Sequence, residues 1–354
     1  MHDQLPAAAG ADRKTHYEDI EIGRPISFGH KVVTKDEIIA FGRAYDPQPM
    51  HTDEEAARAT PVGGLCASGW HTCAMMMRML CDGLLHNTAS LGAPGVEEVR
   101  WIKPVRPGDV LTCRQTYTEK RDLASRPDVG FAKVLLEALD GRGDLVSWWR
   151  TTQFSRKRRP GVAAAPADTP KQPRRALVSL WDVGGLPASA PEGFLEDRQI
   201  GEMTDLGRHT FTREEIIHFA RQFDPQPFHL DDAAAKASLF GALCASGWHT
   251  ASIFIRQVIR HRLARAAAPV PGERRPAYGP SAGFRDLLWP RPVYVGDTIE
   301  FRARVAEKID LKSRPNRGIL VNHVQGRNQK GELVFAVNSQ IMVDRREPYR
   351  PVEG

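Results

Sequence analysis

The hexapeptide Asp46-Pro47-Gln48-Pro49-Met50-His51 returns 178 positions later as Asp224-Pro225-Gln226-Pro227-Phe228-His229. A second motif, Leu65-Cys66-Ala67-Ser68-Gly69-Trp70-His71-Thr72, returns at the same offset as Leu243-Cys244-Ala245-Ser246-Gly247-Trp248-His249-Thr250. One offset shared by two separate motifs marks an internal repeat, and a period this long points to two fused copies of one domain rather than a solenoid. The 354 residues leave each copy enough chain to bury its own core.

Within the first copy, Tyr17 to Ser27 reads as an opening strand and turn. Thr34-Lys35-Asp36-Glu37 is a capping box that starts a helix with Ile38, Phe41, Ala44 and Tyr45 on one face. Pro47 and Pro49 stop that helix, so Asp46 falls at its end and His51 lies beyond an extended bend. A short helix at 53–58 follows, then a Gly-containing loop and a long apolar helix from about Gly69 to Leu85. Strands are expected at Val99 to Ile102, Val110 to Thr118, Phe131 to Ala138 and Leu145 to Phe154, with turn chemistry between them. This order predicts an α+β domain, a long helix wrapped by one curved antiparallel sheet. The second copy repeats it from a capping box at Thr212-Arg213-Glu214-Glu215, with a long helix from Gly247 towards Arg265. An insertion around 265–280 shifts the later offset to 188. The expected boundaries are a tail at 1–16, a domain at 17–156, a Pro/Ala/basic linker at 157–194, a second domain at 195–346 and a tail at 347–354.

No apolar run approaches the ~20 residues that span a bilayer, and the polar, Ala-rich start has no apolar signal core, which predicts a cytoplasmic protein. Five scattered cysteines make no disulfide framework. Cys66, His71 and Cys73 lack the partners of a metal site, so they are expected in the core. The net charge of +6 favours anionic partners. Part of it is local, in Arg156-Lys157-Arg158-Arg159, and without aromatic interleaving it argues against nucleic acid.

The residues that bear chemistry sit in the repeated motifs. Asp46 with His51, and Asp224 with His229, can serve as acid/base pairs, since histidine titrates near neutrality and a carboxylate beside it shares its proton. A turn aspartate beside a structural histidine is the plainer alternative. Gly69 and Gly247 begin the long helices, where a backbone N–H has no intrahelical acceptor and can meet an oxyanion. A Ser N-cap followed by a packing glycine is the competing reading there. Trp70 and Trp248 suit a pocket wall or aromatic core, as does the cluster Met75-Met76-Met77. Arg126 and Arg314 suit phosphate groups or solvent.

The pattern Asp-x-x-Pro-x-His-x-Asp followed by Gly at a helix start resembles the MaoC-like, (R)-specific enoyl-CoA hydratase (hydratase-2 type) family. It is carried by Asp46, Pro49, His51 and Asp53, and again by Asp224, Pro227, His229 and Asp231. Gln48 and Gln226 stand where the family usually has Asn, and Ser68 and Ser246 where many members have His. The resemblance implies a hot-dog fold in each half, hence a double hot dog acting as a built-in dimer, with sites near the contact of the halves. A further homodimer is left open. It also implies syn hydration or dehydration of a 2-enoyl/3-hydroxyacyl thioester of CoA or acyl carrier protein, with no metal or other cofactor. Asp46, His51, Asp224 and His229 would activate water and handle the Cα proton, and the Gly69 and Gly247 amides would hold the thioester oxygen. Ser68, Trp70, Ser246, Trp248, Arg126 and Arg314 would contact substrate. A hot-dog thioesterase and a non-catalytic acyl-CoA-binding protein are the rival functions.

Overall fold

The computed structural model describes residues 14–123, 126–159, 177–187, 193–265 and 274–350. Most of the expected first tail, residues 160–176 and 188–192 of the expected linker, positions 124–125, part of the expected insertion (266–273) and residues 351–354 lie outside the described residues.

The first half runs β1 (Pro25–Val32), α1 (Lys35–Tyr45), α2 (Pro49–Thr52), α3 (Glu54–Arg58), α4 (Gly69–Gly83), β2 (Ser90–Gly92), β3 (Gly95–Trp101), β4 (Val110–Asp122), β5 (Val129–Leu139) and β6 (Leu145–Arg156). After β7 (Leu186–Pro187), the second half runs β8 (Glu202–Thr210), α5 (Arg213–Phe223), α6 (Asp232–Ala237), α7 (Gly247–Arg265), β9 (Gly283–Leu288), β10 (Thr298–Asp310), β11 (Arg317–Arg327) and β12 (Leu333–Asp344). All strands join one sheet in the order β1-β4-β5-β6-β3-β9-β12-β11-β10-β8-β7, with β2 beside β6.

The halves meet at the antiparallel pair β3–β9, in register Val96 with Leu287 and Val99 with Phe284. Matching main-chain bonds extend it at both ends: the Trp101 N–H donates to Ala282 O (3.0 Å) and the Trp289 N–H to Pro94 O (2.9 Å). One apolar core crosses this junction, from Val99 and Met75 to Phe254, Phe284 and Leu287. Helix α4 buries eleven of its fifteen residues. A helix apolar around most of its circumference needs cover on most sides, and the curved sheet and α7 supply it. Each half is therefore the expected α+β wrapped-helix arrangement.

Both capping boxes form. The Glu37 N–H donates to Thr34 Oγ1 (3.2 Å) and the Thr34 N–H to Glu37 Oε1 (3.1 Å); Thr212 and Glu215 repeat the exchange at 3.3 Å in each direction. Replacing Thr34 or Thr212 by Ala leaves a helix-end donor without its acceptor and is expected to cost about 1 kcal/mol in urea denaturation.

Several local expectations are corrected. The opening segment is a one-turn helix at Tyr17–Asp19, and the strand starts only at Pro25. Tyr17 and Ile20 turn inward onto Tyr117, Ala132 and Val134 as a small separate core, which an extended strand would not allow. In α1, Gly42 is buried rather than Ala44, which is exposed. Residues 177–187, within the stretch read as linker, pack on the second half. The Leu180 N–H donates to Gln325 Oε1 (2.8 Å), the Arg327 guanidinium covers the Trp181 ring, and β7 pairs parallel with β8.

Candidate active site

Asp46 caps the C-terminus of α1, and its N–H donates to Gly42 O (2.8 Å). The chain beyond is not an extended bend. Pro49 opens α2, a single helical turn that carries His51. Proline fits a first helical position because its missing N–H would have had no acceptor there. In the second half the turn is a 3-10 helix, Pro227–His229.

Both members of each pair are buried. His51 Nε2 lies 3.6 Å from Asp46 Oδ2, and His229 Nε2 lies 3.6 Å from Asp224 Oδ2. The other ring nitrogen faces a carbonyl: Nδ1 of His51 is 2.8 Å from Cys66 O and Nδ1 of His229 is 2.8 Å from Cys244 O. A carbonyl only accepts, so Nδ1 carries a proton and donates to it, which turns Nε2 towards the aspartate. At 3.6 Å the nitrogen and carboxylate are too far apart for a direct hydrogen bond, and a water bonded to both would sit to one side of the pair.

The buried carboxylates need donors, and neighbouring side chains supply them. Ser68 Oγ–H donates to Asp46 Oδ2 (2.6 Å) and Gln48 Nε2 to Asp46 Oδ1 (2.9 Å); Ser246 and Gln226 make the same bonds to Asp224 at the same distances. Ser68 and Ser246 also cap the long helices by accepting from the Trp70 and Trp248 amides (3.2 Å each). These serines hold the carboxylates, and Ser68, expected to contact substrate, also lines the larger cavity described below. One donor has no counterpart: Cys81 of α4 points its thiol at Asp224 Oδ1 (3.4 Å). Burial, then the Asp224 charge, raises that thiol's pKa, so it remains protonated as a donor. The position answering Cys81 in α7 is Ile259.

Gly69 and Gly247 open α4 and α7, and their amides have no intrahelical acceptor. A Cβ on Gly69 would lie 2.4 Å from the Trp101 indole, and one on Gly247 2.4 Å from that of Trp289. Glycine therefore keeps the helix start against the tryptophan. Trp70 stacks on Phe284 (4.6 Å) and Trp248 on Trp149 (4.9 Å), each aromatic partner coming from the opposite half.

Each constellation opens into a cavity completed by the other half. The first, about 610 Å³, takes Asp46, His51, Gly69 and Trp70 from its own half and Val258 and Phe284 from the second. The other, about 450 Å³, takes Asp224, His229 and Gly247 with Leu80, Trp149 and Phe154 from the first half. Arg314 lines the larger cavity. Arg126 departs from its expected role: its guanidinium makes a bidentate pair with Asp128 (3.0 and 2.9 Å), and it is absent from the described lining of both cavities. Met77 reaches the smaller cavity, whereas Met75 and Met76 are core. The described cysteines are all buried, and burial lifts the Cys66 thiol to about 11.

His71 and His249 are core residues, stacked on Phe41 (4.5 Å) and Phe219 (4.7 Å). Burial lowers the His71 pKa from 6.5 to about 3 and that of His249 well below 6.5. The unfolded chain binds these protons more readily. The fold therefore keeps its full stability above pH 6.5 and loses it as pH falls from there towards 3. The loss is expected to reach up to about 1.4 kcal/mol per pH unit for each histidine. Urea titrations between about pH 7 and about pH 4 check this, and His71→Phe should flatten the slope.

Sequence reasoning found the pairs and the glycines and noted Gln48 and Gln226 without their bonds to the aspartates, but missed Cys81, Trp101 and Trp289. The recurrence of Trp101 as Trp289 at offset 188 was the available signal for the last two. Cys81 has no repeat and left none.

A MaoC-like domain is matched twice, over residues 19–138 and 197–326. The 3-hydroxybutyryl-CoA dehydratase of Methylorubrum extorquens is 27% identical over 122 residues, 34% of this chain and 69% of that protein. The fold resembles that of a crystallised putative MaoC domain protein dehydratase from Chloroflexus aurantiacus (TM-score 0.75, 15% identity, 96% of this chain and 100% of that one). It also resembles a conserved hypothetical protein of Mycobacterium tuberculosis described as having a double hot-dog fold (TM-score 0.63, 14% identity, 93% and 98%). The architecture is thus a double hot dog, two like halves forming a pseudo-dimer within one chain. The chain belongs to the MaoC-like domain family and carries its domain twice.

Proposed function

We propose that the protein is a hydratase/dehydratase that adds water reversibly to a 2-enoyl thioester, giving the 3-hydroxyacyl thioester, at two sites. The observation that carries this reading is the duplicated buried Asp–His pair. Each pair has a 3.6 Å gap and shares a cavity with a helix-opening glycine. The likeness to the Methylorubrum 3-hydroxybutyryl-CoA dehydratase supports it.

In this mechanism a water sits beside the pair, bonded to both Asp46 Oδ2 and His51 Nε2. As its oxygen attacks C3 of the enoyl group, one proton passes to Nε2. The electron pair moves through the C2–C3 bond to the thioester oxygen, held by the Gly69 N–H at the helix N-terminus. The imidazolium then returns that proton to C2 from the face that received the hydroxyl, so addition is syn. Ser68 and Gln48 hold Asp46 in place against the water. Asp224, His229 and Gly247 repeat the chemistry. The thioester is itself the electron sink, so the reaction uses no resident cofactor. CoA is the proposed carrier, with Arg314 at the cavity wall as a contact for an anionic group.

The test is loss of enoyl-thioester absorbance with crotonyl-CoA, run beside a free-thiol assay. Hydration without thiol release is expected. Thiol release without hydration would make the protein a thioesterase, and tight binding with neither would make it an acyl-CoA-binding protein.

A further inference from the structure

Asp46 and Asp224 each follow directly on a helix end, at α1 and α5, where the last carbonyls have no intrahelical donor. Phe41 with Phe223, and Tyr45 with Phe219, meet edge to face (5.6 Å each) and tie both helix ends into one core. The polar contacts made across the halves are not duplicated in this way.

Three side chains of the first half reach the Asp224 segment. Arg78 Nη1, on α4, donates to Arg221 O (2.7 Å) and Gln222 O (3.4 Å) in the last turn of α5, where a cation also meets the negative end of the helix dipole. Cys81, about one turn further along α4, donates to Asp224 Oδ1 (3.4 Å). His86 lies just beyond the helix, and its Nε2 donates to Pro225 O (3.2 Å). Asp224 is thus held by Ser246, Gln226 and Cys81, whereas Asp46 is held by Ser68 and Gln48. Among the described residues, no hydrogen bond from the second half reaches residues 43–47.

The repeat shows why. At the offset of 178, the α7 residues Arg256, Ile259 and Ala264 answer Arg78, Cys81 and His86. The side chains of Ile259 and Ala264 carry no donor. Arg256 keeps the guanidinium but turns it to His209, whose Nδ1 accepts (2.9 Å) while its Nε2 donates to Glu215 (2.6 Å). Lys31 answers His209, and its ammonium, paired with Glu37 (2.5 Å), has no lone pair to offer, so Arg78 finds no acceptor there. Asp82 instead takes Arg78 Nε (2.6 Å) and aims the guanidinium at α5. The position answering Asp82 is Arg260, which carries the same charge as Arg256.

We propose that Arg78, Cys81 and His86 are positioning residues through which the first half holds the Asp224/His229 site, and that the Asp46/His51 site works without such a hold. These bonds must break whenever the segment at 221–229 opens, so they suppress open forms in which Asp224 and His229 are misplaced. The segment at 43–51 opens without breaking any counterpart of them. The effect on catalysis rests on the hydratase reading above; the hold itself does not.

Hydrogen exchange followed by mass spectrometry reads the hold without turnover. Arg78→Met with Cys81→Ala removes two of the three side chains. It is expected to speed exchange of the amides at 222–229 at least about fivefold and to leave those at 44–51 within about twofold. Crotonyl-CoA hydration reads the consequence at each site alone, in His51→Ala protein for the Asp224 site and in His229→Ala protein for the Asp46 site. Cys81→Ala is expected to lower kcat at the Asp224 site at least about fivefold with KM unchanged, and at the Asp46 site by no more than about twofold. Cys81→Ser, which keeps a donor there, should restore most of the Asp224-site rate. Arg78 is exposed, so Arg78→Met should fold even if Cys81→Ala does not, and it is expected to lower the same kcat at least about threefold. Unchanged exchange at 222–229, an equal rise at 44–51, or a loss of rate shared by both sites would overturn the proposal. Full kcat at the Asp224 site despite faster exchange would overturn it as well. The expected exchange pattern in a protein that does not hydrate crotonyl-CoA would overturn the hydratase reading alone.

Discussion

With crotonyl-CoA as substrate, the double variant His51→Ala/His229→Ala is expected to lose roughly three orders of magnitude in kcat, while each single variant keeps a substantial part of the wild-type rate. Each imidazole is held by its own carbonyl, Cys66 O or Cys244 O, and turns Nε2 to its own aspartate. Removing one ring therefore leaves the other site's proton acceptor in place. The turns that carry the histidines are built from main-chain bonds, such as His51 N–H to Gln48 O (2.9 Å), so the variants should fold with unchanged circular dichroism. A near-wild-type rate in the double variant would place the proton acceptor elsewhere. Complete loss in one single variant would make the other half a scaffold.

Gly283→Ala is expected to cost about 3 kcal/mol or more and to impair both sites together. Gly283 lies at the β3–β9 junction with φ +140°, where an added Cβ would fall 1.9 Å from the carbonyl oxygen of Val99. The obstacle is main chain held in its own ladder to β6, so no rotamer change relieves it. Gly95, the equivalent position, faces Leu287 O in the same way (2.1 Å). Each cavity takes walls from the opposite half, so a displaced junction opens both. Urea denaturation and the crotonyl-CoA assay read the two effects. Normal stability with both activities retained would show that the halves need not be held at this pair.

Much of this molecule is legible in local signals. The repeat, both capping boxes, the starts of α4 and α7 and the hairpin run of long strands depend on contacts within a few residues or on alternation along one strand. Pattern reading reaches such features. The Asp–His pairs and their glycines were visible because the repeat printed them twice and because motif and spacing matched a known family.

What pattern reading missed depends on partners distant in the chain. Tyr17 folds into a turn because a pocket under β4 and β5 accepts its ring, and nothing local forbids a strand there. Residues 177–187 have the composition of a linker, yet they pack because Gln325 and Arg327 meet them. Arg126 is held by Asp128 rather than aimed at a cavity, a difference from Arg314 that identical flanking residues concealed.

The sequence by itself determined that there are two like domains, which Asp–His pairs and glycines recur in them and where the principal helices begin, since each follows from short-range pattern and its repetition. Only the tertiary structure decided that each site is walled by the opposite half and that Cys81 reaches Asp224 alone. These depend on side chains brought together across the β3–β9 junction, where the repeat has diverged and sequence separation exceeds a hundred residues.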